Sequence, residues 1–248
     1  MIGILFFGVF CANIEYMNIS SYKAVILAGG LGTRLYPITK EIPKPLLPVK
    51  RKPIINYLVD LFYKAGIKDV AVLINKDYRE DFDWWKKRYY SNLDIRFVEE
   101  SEPLGTFGGL YLLKDWLQGG PFFMTNGDEI KEIDLSEMAE FHQGQNVLAT
   151  ICSVHVPDPQ NYGVVICENN RVKEFLEKPE NPPSNYINSG LYLFSPEIFK
   201  SHPGPKFLMT EKDIFPNLAK ENKLANFQYK GYWTDCGTWE RYGKALSS

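Results

Sequence analysis

A glycine-rich turn followed by two cations is the strongest chemical feature of the sequence. The apolar run Lys23–Ala28 ends at a glycine pair, and the string Gly29-Gly30-Leu31-Gly32-Thr33-Arg34 begins there. A turn of this kind after a strand can present several backbone N–H groups to phosphate oxygens. Arg34 and Lys44 supply positive charge, and the prolines on both sides of Lys44 restrict its backbone. The pattern indicates a clamp for a polyanion.

The turn matches neither of the two common glycine-rich phosphate motifs. A dinucleotide fingerprint starting at Gly30 would need a glycine at position 35, where the chain has Leu35. A Walker A loop would need a Gly-Lys-Ser/Thr run, and none follows. Taken alone, the turn is equally compatible with an ordinary glycine turn beside two solvated charges.

Alternating strands and helices are predicted to position this turn. Helical spacing of apolar residues predicts helices from Pro53 to Gly66, from Asp77 to Tyr89, and over about Thr106–Leu117. Alternation of this kind predicts an α/β fold: a Rossmann-like, mixed but mostly parallel sheet flanked by helices. Residues 29–52 between the first strand and the first helix are expected to form a long loop. Short apolar runs predict the strands Lys23–Ala28, Val70–Ile74, Ile95–Val98 and Phe122–Thr125.

The second half of the chain is predicted to extend the same sheet. A hairpin turn is expected at Asn169-Asn170, and Thr210 to Asp213 resemble a capping box that opens a helix to about Glu221. A last helix is expected from Thr238. Apolar patterning predicts the strands Val147–Val156, Tyr162–Cys167, Arg171–Glu177, Tyr186–Phe194 and Ala225–Tyr229.

Composition and charge exclude several classes of protein. Lys and Arg number 28 against 30 Asp and Glu, a formal net charge of −2, which argues against nucleic-acid binding by bulk positive charge. A hydrophobic fraction of 45% is that of a folded chain. The four cysteines form no C-x-x-C pair and the three histidines no metal-ligand spacing. A reducing, cytoplasmic compartment is expected, with no membrane span.

An ordered series of further motifs accompanies the glycine-rich turn. The motifs are Gly29-Gly-Leu-Gly-Thr-Arg-Leu, Pro43-Lys-Pro-Leu-Leu-Pro-Val, Glu102-Pro-Leu-Gly-Thr-Phe-Gly, Asn126-Gly-Asp, Tyr162-Gly-Val-Val, Glu177-Lys-Pro, Asn188-Ser-Gly-Leu-Tyr and Trp233-Thr-Asp-Cys-Gly-Thr. The series resembles the signature of the sugar-1-phosphate nucleotidylyltransferases, also called nucleotide-sugar pyrophosphorylases, over about residues 22–246. The resemblance implies the nucleotide-diphospho-sugar transferase fold, and a Mg²⁺-dependent transfer of a nucleotidyl group from a nucleoside triphosphate to a sugar 1-phosphate.

The resemblance assigns roles to individual residues. Arg34 and Lys44 would hold the triphosphate and the charge developing on the leaving group, while Lys178 would contact the sugar phosphate. Asp128 and Asp235 would share a Mg²⁺, because hard carboxylate oxygens suit that ion. The expected catalytic residues are Arg34, Lys44, Asp128 and Lys178. The expected nucleotide contacts are Leu27, Gly29, Gly30, Gly32, Thr33, Glu102, Gly105 and Thr106. The expected sugar contacts are Gly163, Glu177 and Asn188.

The substrates are narrowed but not decided by the resemblance. The Pro-Leu-Gly-Thr-x-Gly form after Glu102 is similar to guanylyltransferases for mannose or heptose 1-phosphate, and a carboxylate acceptor suits the N–H donors of guanine. Uridylyl or thymidylyl transfer to another hexose 1-phosphate is the alternative. A catalytically silent sensor of sugar nucleotides and a glycosyltransferase with a similar sheet are further alternatives. Whether the chain forms a homo-oligomer is left open.

Three features depart from the family pattern. The third position of Gly-Thr-x-Gly is often Ala and is Phe107 here, which either packs in the core or narrows the base pocket. Few residues follow Trp239, so the C-terminal β-helix domain of longer members is not expected. Residues 1–14 carry no charge, and we expect residues 1–16 to be an apolar extension before a single catalytic domain over residues 17–248. A true start at Met17 is favoured over a membrane tether or an extra packed segment.

Overall fold

A nine-stranded mixed sheet forms the centre of the fold. The computed structural model describes residues 17–247, so the expectations about residues 1–16 lie outside it. The order of strands across the sheet is β5-β4-β1-β6-β11-β8-β12-β10-β9. The strands of this sheet are β1 (Lys23–Leu27), β4 (Asp69–Asn75), β5 (Ile95–Glu100), β6 (Phe122–Asn126), β8 (Ala149–His155), β9 (Gly163–Glu168), β10 (Arg171–Glu177), β11 (Tyr186–Phe194) and β12 (Leu224–Tyr229). Two small antiparallel pairs lie outside it: β2 (Pro48–Val49) with β3 (Lys52–Pro53), and β7 (Glu129–Lys131) with β13 (Trp233–Asp235).

Within residues 17–247, eight α-helical segments accompany these strands, and three of them are a single turn long. Short 3₁₀ turns interrupt the long loop after β1, at Thr33–Leu35, Ile38–Lys40 and Lys44–Leu46, so that loop contains neither a long helix nor a central strand, as expected. The helices are α1 (Ile54–Lys64), α2 (Arg79–Tyr89), α3 (Gly105–Gly108), α4 (Lys114–Leu117), α5 (Leu135–Gln145), α6 (Ile198–Ser201), α7 (Phe215–Lys220) and α8 (Trp239–Ser247). Among the described residues, none of these helices has the length and apolar character needed to cross a membrane.

The sheet is parallel in its first half and largely antiparallel in its second. Strands β5, β4, β1 and β6 run parallel, as βαβ connections require. Strand β11 is antiparallel to both β6 and β8, and β10 is antiparallel to β9 and β12. Only β8 and β12 restore a parallel pair. The prediction of one extended α/β sheet is confirmed, but its mostly parallel character is limited to the first half, because short turns such as Asn169-Asn170 reverse the chain.

Alternate residues of the central strands supply two separate cores. In β1, Ala24 and Ile26 point to the face covered by α1, α2 and α5, whereas Val25 points to the face covered by α3, α4, α6 and α7. Phe123 and Phe122 divide in the same way between the two faces of β6. Because β1 is buried on both faces, its sequence reads as a continuous apolar run instead of an alternating one.

Two helices predicted from the sequence differ in the structure. The expected helix over Thr106–Leu117 is broken into α3, a 3₁₀ stretch over Gly109–Leu113, and α4. The glycine pair at 108 and 109 weakens a continuous helix there. The helix expected from Thr210 starts as one π-turn over Thr210–Ile214, and regular α-helix begins only at Phe215 beside Pro216, which has no N–H to donate.

The expected capping box is also wrong. The Thr210 hydroxyl is buried with no hydrogen-bond partner among the described residues. The carboxylate of Asp213 instead accepts a hydrogen bond from the backbone N–H of Met209, at 2.6 Å. Position 210 is therefore inside the turn and not at its N-cap.

Phe107 is a core residue. Its side chain is fully buried, and its ring lies 5.8 Å from that of Phe194 and 6.1 Å from that of Phe199. Of the two expectations for this position, packing in the core is the one that the structure supports. The ring packs the segment after β5 against β11 and α6.

We predict that Phe107→Ala lowers the free energy of unfolding by about 3–5 kcal/mol, because it empties a fully buried ring position. Urea unfolding followed by circular dichroism measures the change. Leu112→Ala, in the same segment but nearly half exposed, is the control and is expected to cost under about 1 kcal/mol. Equal losses in the two variants would contradict the core assignment.

Candidate active site

The carboxyl ends of β1 and β6 meet at one edge of the sheet. Leu27 is paired in register with Asn126, and the backbone N–H of Gly127 donates to the Leu27 carbonyl at 2.9 Å. A Cβ at position 127 would lie 2.6 Å from that same carbonyl oxygen, so only glycine allows this close approach. The contact brings the glycine-rich turn after β1 against Asp128 after β6. This edge is where open α/β sheets bind ligands.

Lys44 and Asp128 form an ion pair at this edge. The Lys44 Nζ lies 2.5 Å from Asp128 Oδ2, and both side chains are more than four-fifths buried. Burial acts to raise the pKa of Asp128, but the Lys44 ammonium and, more weakly, the Arg34 guanidinium outweigh it and hold the pKa below its ordinary value. The two cations therefore favour the ionised form of Asp128.

Asp235 and Arg34 approach Asp128 around Gly237. A Cβ at position 237 would lie 2.9 Å from Asp235 Oδ1, 3.4 Å from Asp128 Oδ2 and 3.5 Å from Arg34 Nη2. The backbone N–H of Cys236 donates to the Asp128 carbonyl at 2.8 Å, which ties the two segments together. The structure thus brings together two aspartates more than a hundred residues apart, as the sequence predicted.

The carboxylate pair suits a hard divalent cation. Asp128 and Asp235 offer oxygen ligands, and Mg²⁺ commonly takes one or two carboxylates and leaves its other positions to phosphate and water. Within residues 17–247, no cluster of three or more carboxylate, imidazole or thiol side chains could hold a metal ion.

A cavity of about 630 Å³ lies on one side of the carboxylates. It is bounded by the turn after β1 and by the loop after β5. Gly32 and Thr33, also expected at this ligand, are not among its lining residues. Eight of the predicted residues line it: Leu27, Gly29, Gly30, Lys44, Glu102, Gly105, Thr106 and Asp128.

The loop after β5 is held from behind by the chain segment before α7. The carbonyl of Leu208 accepts hydrogen bonds from the N–H groups of Phe107 and Gly108, at 2.9 and 3.2 Å. A Cβ at Gly105, where φ is +78°, would lie 2.4 Å from that carbonyl oxygen, and one at Gly108 would lie 2.3 Å from the carbonyl of Lys206. Both glycines of Gly-Thr-Phe-Gly are thus required by the backbone that passes over them.

Glu100 is a cavity residue that the sequence analysis missed. Its carboxylate lies between two glycines: a Cβ at Gly29 would be 2.6 Å from Oε2 and one at Gly109 would be 2.7 Å from Oε1. Burial raises the pKa of Glu100, although the backbone N–H of Leu104 partly offsets this effect. Glu102, the predicted carboxylate of this loop, is exposed at the cavity rim. A sequence signal existed, since Glu100 ends a strand at the ligand-binding edge.

A second cavity of about 680 Å³ lies beside Asp235, and Arg34, but not Lys44, is among its lining residues. Lys44 lines the first cavity, while both cations act on Asp128. Arg34 lies in the 3₁₀ turn Thr33–Leu35, whose Leu35 is buried. Tyr162, Trp233 and Arg241 also line this space.

The residues predicted for the sugar contact one another or neighbouring side chains. Gly163 and Glu177 are paired in register, and a Cβ at Gly163 would be 3.1 Å from Glu177 Oε2. Lys178, with a φ of +50° that is unusual for a lysine, forms a 3.0 Å ion pair with Glu177 and is more than half exposed. Asn188 donates to the Tyr192 hydroxyl at 2.8 Å. None of these four predicted residues lines either cavity in the described part of the chain.

A buried ion pair lies directly behind the carboxylates and was also missed. Lys131 Nζ is 2.6 Å from Glu129 Oε2 and donates to the Ser189 carbonyl at 2.8 Å. Burial, partly offset by Lys131, raises the pKa of Glu129 to about 7. The sequence signal was weak: a charged pair two residues apart on a short strand projects to one face, but nothing marks that face as buried.

Comparison with known proteins places these motifs in a family. Residues 23–248 match the family model described as nucleotidyl transferase. The mannose-1-phosphate guanyltransferase of Schizosaccharomyces pombe is 38% identical over 226 residues, which cover 87% of this chain and 61% of that protein. This chain therefore spans about three fifths of the length of that relative.

Solved structures agree with this assignment. A putative glucose-1-phosphate thymidylyltransferase from Bacillus anthracis superposes with a TM-score of 0.83 at 29% identity, covering 91% of this chain and 94% of that one. HddC from Yersinia pseudotuberculosis, solved with GMP-PN, has a TM-score of 0.77 at 30% identity, covering 91% and 98%. The mixed sheet, the ordered motifs and these matches together show that the chain belongs to the nucleotidyl transferase family.

Proposed function

We propose that the protein transfers a nucleotidyl group from a nucleoside triphosphate to a sugar 1-phosphate, forming an NDP-sugar and pyrophosphate. The observation that carries this proposal is the convergence of Asp128, Asp235, Lys44 and Arg34 between two cavities. Two anionic substrates have to approach each other in this reaction, so placed cations and alignment supply most of the catalysis. The absence of a disulfide at the three described cysteines fits the proposed cytoplasmic location.

The nucleotide is assigned to the cavity bounded by Gly29, Gly30 and Gly105. The glycine backbone allows close approach of phosphates, and Lys44, at the end of this cavity beside Asp128, would bind the phosphate at which transfer occurs. Guanine is the favoured base because Glu100 and Glu102 supply carboxylate acceptors for its N1–H and N2–H₂ donors. Guanylyl transfer also agrees with the S. pombe relative named as a mannose-1-phosphate guanyltransferase.

Asp128 and Asp235 are proposed to hold Mg²⁺. When bound, this ion would neutralise phosphate charge and help to align the reacting groups. Lys44 and Arg34 hold Asp128 ionised before any ligand binds, which keeps its oxygens ready as ligands. Lys178, Glu177, Gly163 and Asn188 remain proposed contacts of the sugar 1-phosphate, and Lys178 would have to turn away from Glu177 to reach a phosphate.

The proposal is tested by following pyrophosphate release. The protein is incubated with Mg²⁺, each of the four nucleoside triphosphates, and a panel that includes mannose, heptose and glucose 1-phosphates. We expect the highest kcat/KM with GTP and mannose or heptose 1-phosphate. Preference for UTP or dTTP would support the alternative uridylyl or thymidylyl transfer. Nucleotide-sugar binding without release of pyrophosphate from any pair would support the silent sensor.

The shared-cation model predicts that Asp128→Asn and Asp235→Asn each lower kcat/KM by at least about 100-fold, because each removes a charged oxygen ligand. Titration with Mn²⁺, followed by its electron paramagnetic resonance signal, is expected to show weaker binding in both variants. Asp158→Asn is the control, since Asp158 lines the second cavity but is exposed. Mn²⁺ affinity equal to that of the control would refute the model.

Base recognition predicts that Glu100→Gln lowers kcat/KM for GTP by about 10- to 100-fold, because an amide N–H₂ would face donors of guanine. Glu102→Gln, at the rim of the cavity, is expected to lower kcat/KM for GTP by less than Glu100→Gln does. Glu99→Gln is the matched control, because Glu99 precedes Glu100 but is exposed and paired with Arg79. A GTP kcat/KM in Glu100→Gln as high as in Glu99→Gln would remove Glu100 from base recognition.

A further inference from the structure

Arg241, in the first turn of α8, is a firmly anchored cation of the second cavity. Its Nη1 lies 3.0 Å from Asp235 Oδ2 and 3.3 Å from Oδ1, and its side chain is 17% exposed. The guanidinium also lies 4.3 Å from the centre of the Tyr162 ring, a cation–π distance. The Tyr162 hydroxyl in turn donates to Asp235 Oδ2 at 2.9 Å. Ring and carboxylate together fix the guanidinium at the cavity wall.

Most of the hydrogen-bonding capacity of Arg241 is unused by the protein. A guanidinium has five N–H donors in a planar fork. Both side-chain hydrogen bonds that Arg241 makes to described residues use Nη1. The donors on Nη2 and Nε have no hydrogen bond to any residue between 17 and 247, yet the side chain lines the cavity. Pre-positioned free donors of this kind suit a bidentate anion.

The charges around Arg241 select the class of ligand. Arg34 and Lys244 line the same cavity, and the acidic residues there are Asp158, Glu240 and Asp235. Lys244 is an exposed partner of Glu240 and Arg34 is exposed as well, so Arg241 is the mostly buried cation among these three. Tyr162 and Trp233 supply the aromatic wall. Two guanidinium groups beside a carboxylate pair fit a phosphate group that arrives with a cation.

We propose that Arg241 binds the phosphate of the non-nucleotide ligand in the second cavity, either the sugar 1-phosphate or pyrophosphate. This inference rests on the proposed function and extends it to a residue outside the family motifs. In the ligand-free protein, Arg241 is the counter-ion of Asp235. When the ligand binds, its phosphate would replace Asp235 as a partner of the Arg241 guanidinium, and the Asp235 oxygens would become available to a cation.

Calorimetric titration with pyrophosphate and with mannose 1-phosphate, which needs no turnover, tests the proposal. We expect Arg241→Gln to bind one of the two about 10- to 100-fold more weakly than wild type, the loss expected for a charge-assisted hydrogen bond. The ligand that weakens identifies the source of the phosphate. Arg241→Lys keeps the charge without the fork and is expected to be intermediate. Arg88→Gln, which removes an exposed charge on α2, is the control.

Steady-state kinetics and Mn²⁺ titration distinguish an Arg241 that contacts the ligand from an Arg241 that only positions Asp235. We expect the KM for mannose 1-phosphate, or for pyrophosphate in the reverse reaction, to rise in Arg241→Gln at saturating Mn²⁺ while the KM for GTP is unchanged. The inference is overturned if both ligands bind Arg241→Gln as tightly as Arg88→Gln, or if the only change is weaker Mn²⁺ binding. Wild-type protein that binds phosphate through Arg241 but releases no pyrophosphate would refute the proposed function alone.

Discussion

The candidate site depends on two carboxylates held close to each other, each beside its own cation. Asp128 and Asp235 lie around the same small space at Gly237, where like charges repel each other. Each carboxylate has its own cation: Lys44 at 2.5 Å from Asp128, and Arg241 at 3.0 Å from Asp235. Because the cations approach from opposite cavities, the carboxylates form a boundary between the two spaces.

The main sheet and the small antiparallel pair of β7 and β13 together create that arrangement. Asp128 follows β6 at the ligand-binding edge, whereas Asp235 ends β13, which lies outside the main sheet. Antiparallel pairing of β13 with β7 sets Asp235 opposite Glu129 in register. Behind this contact, Glu129 and Lys131 form a buried ion pair, and Lys131 also donates to the carbonyl of Ser189 on β11. A buried pair of this kind costs desolvation energy, but here it links three strands that surround the carboxylates.

Glycine has a steric role at several points of the site. Gly127, Gly105 and Gly237 each leave a space that a Cβ would fill within 2.9 Å of a backbone carbonyl or an active-site carboxylate. The family motifs can therefore be explained by close approach of backbones and not only by phosphate binding. Phe107 shows the complementary case, where a residue inside a motif serves the core.

The sequence alone determined the α/β class, the position of the central strand, and the residues of the ordered motifs. Apolar periodicity and glycine-proline punctuation are local properties, so Lys23–Leu27 and Arg171–Glu177 were predicted almost to the residue. The tertiary structure alone decided that Glu100 lines the first cavity, that Glu129 and Lys131 are buried as a pair, and that Arg241 pairs with Asp235. Those facts depend on contacts between segments distant in the chain, such as β7 with β13. Side-chain direction and burial there are set by packing, which no local pattern encodes.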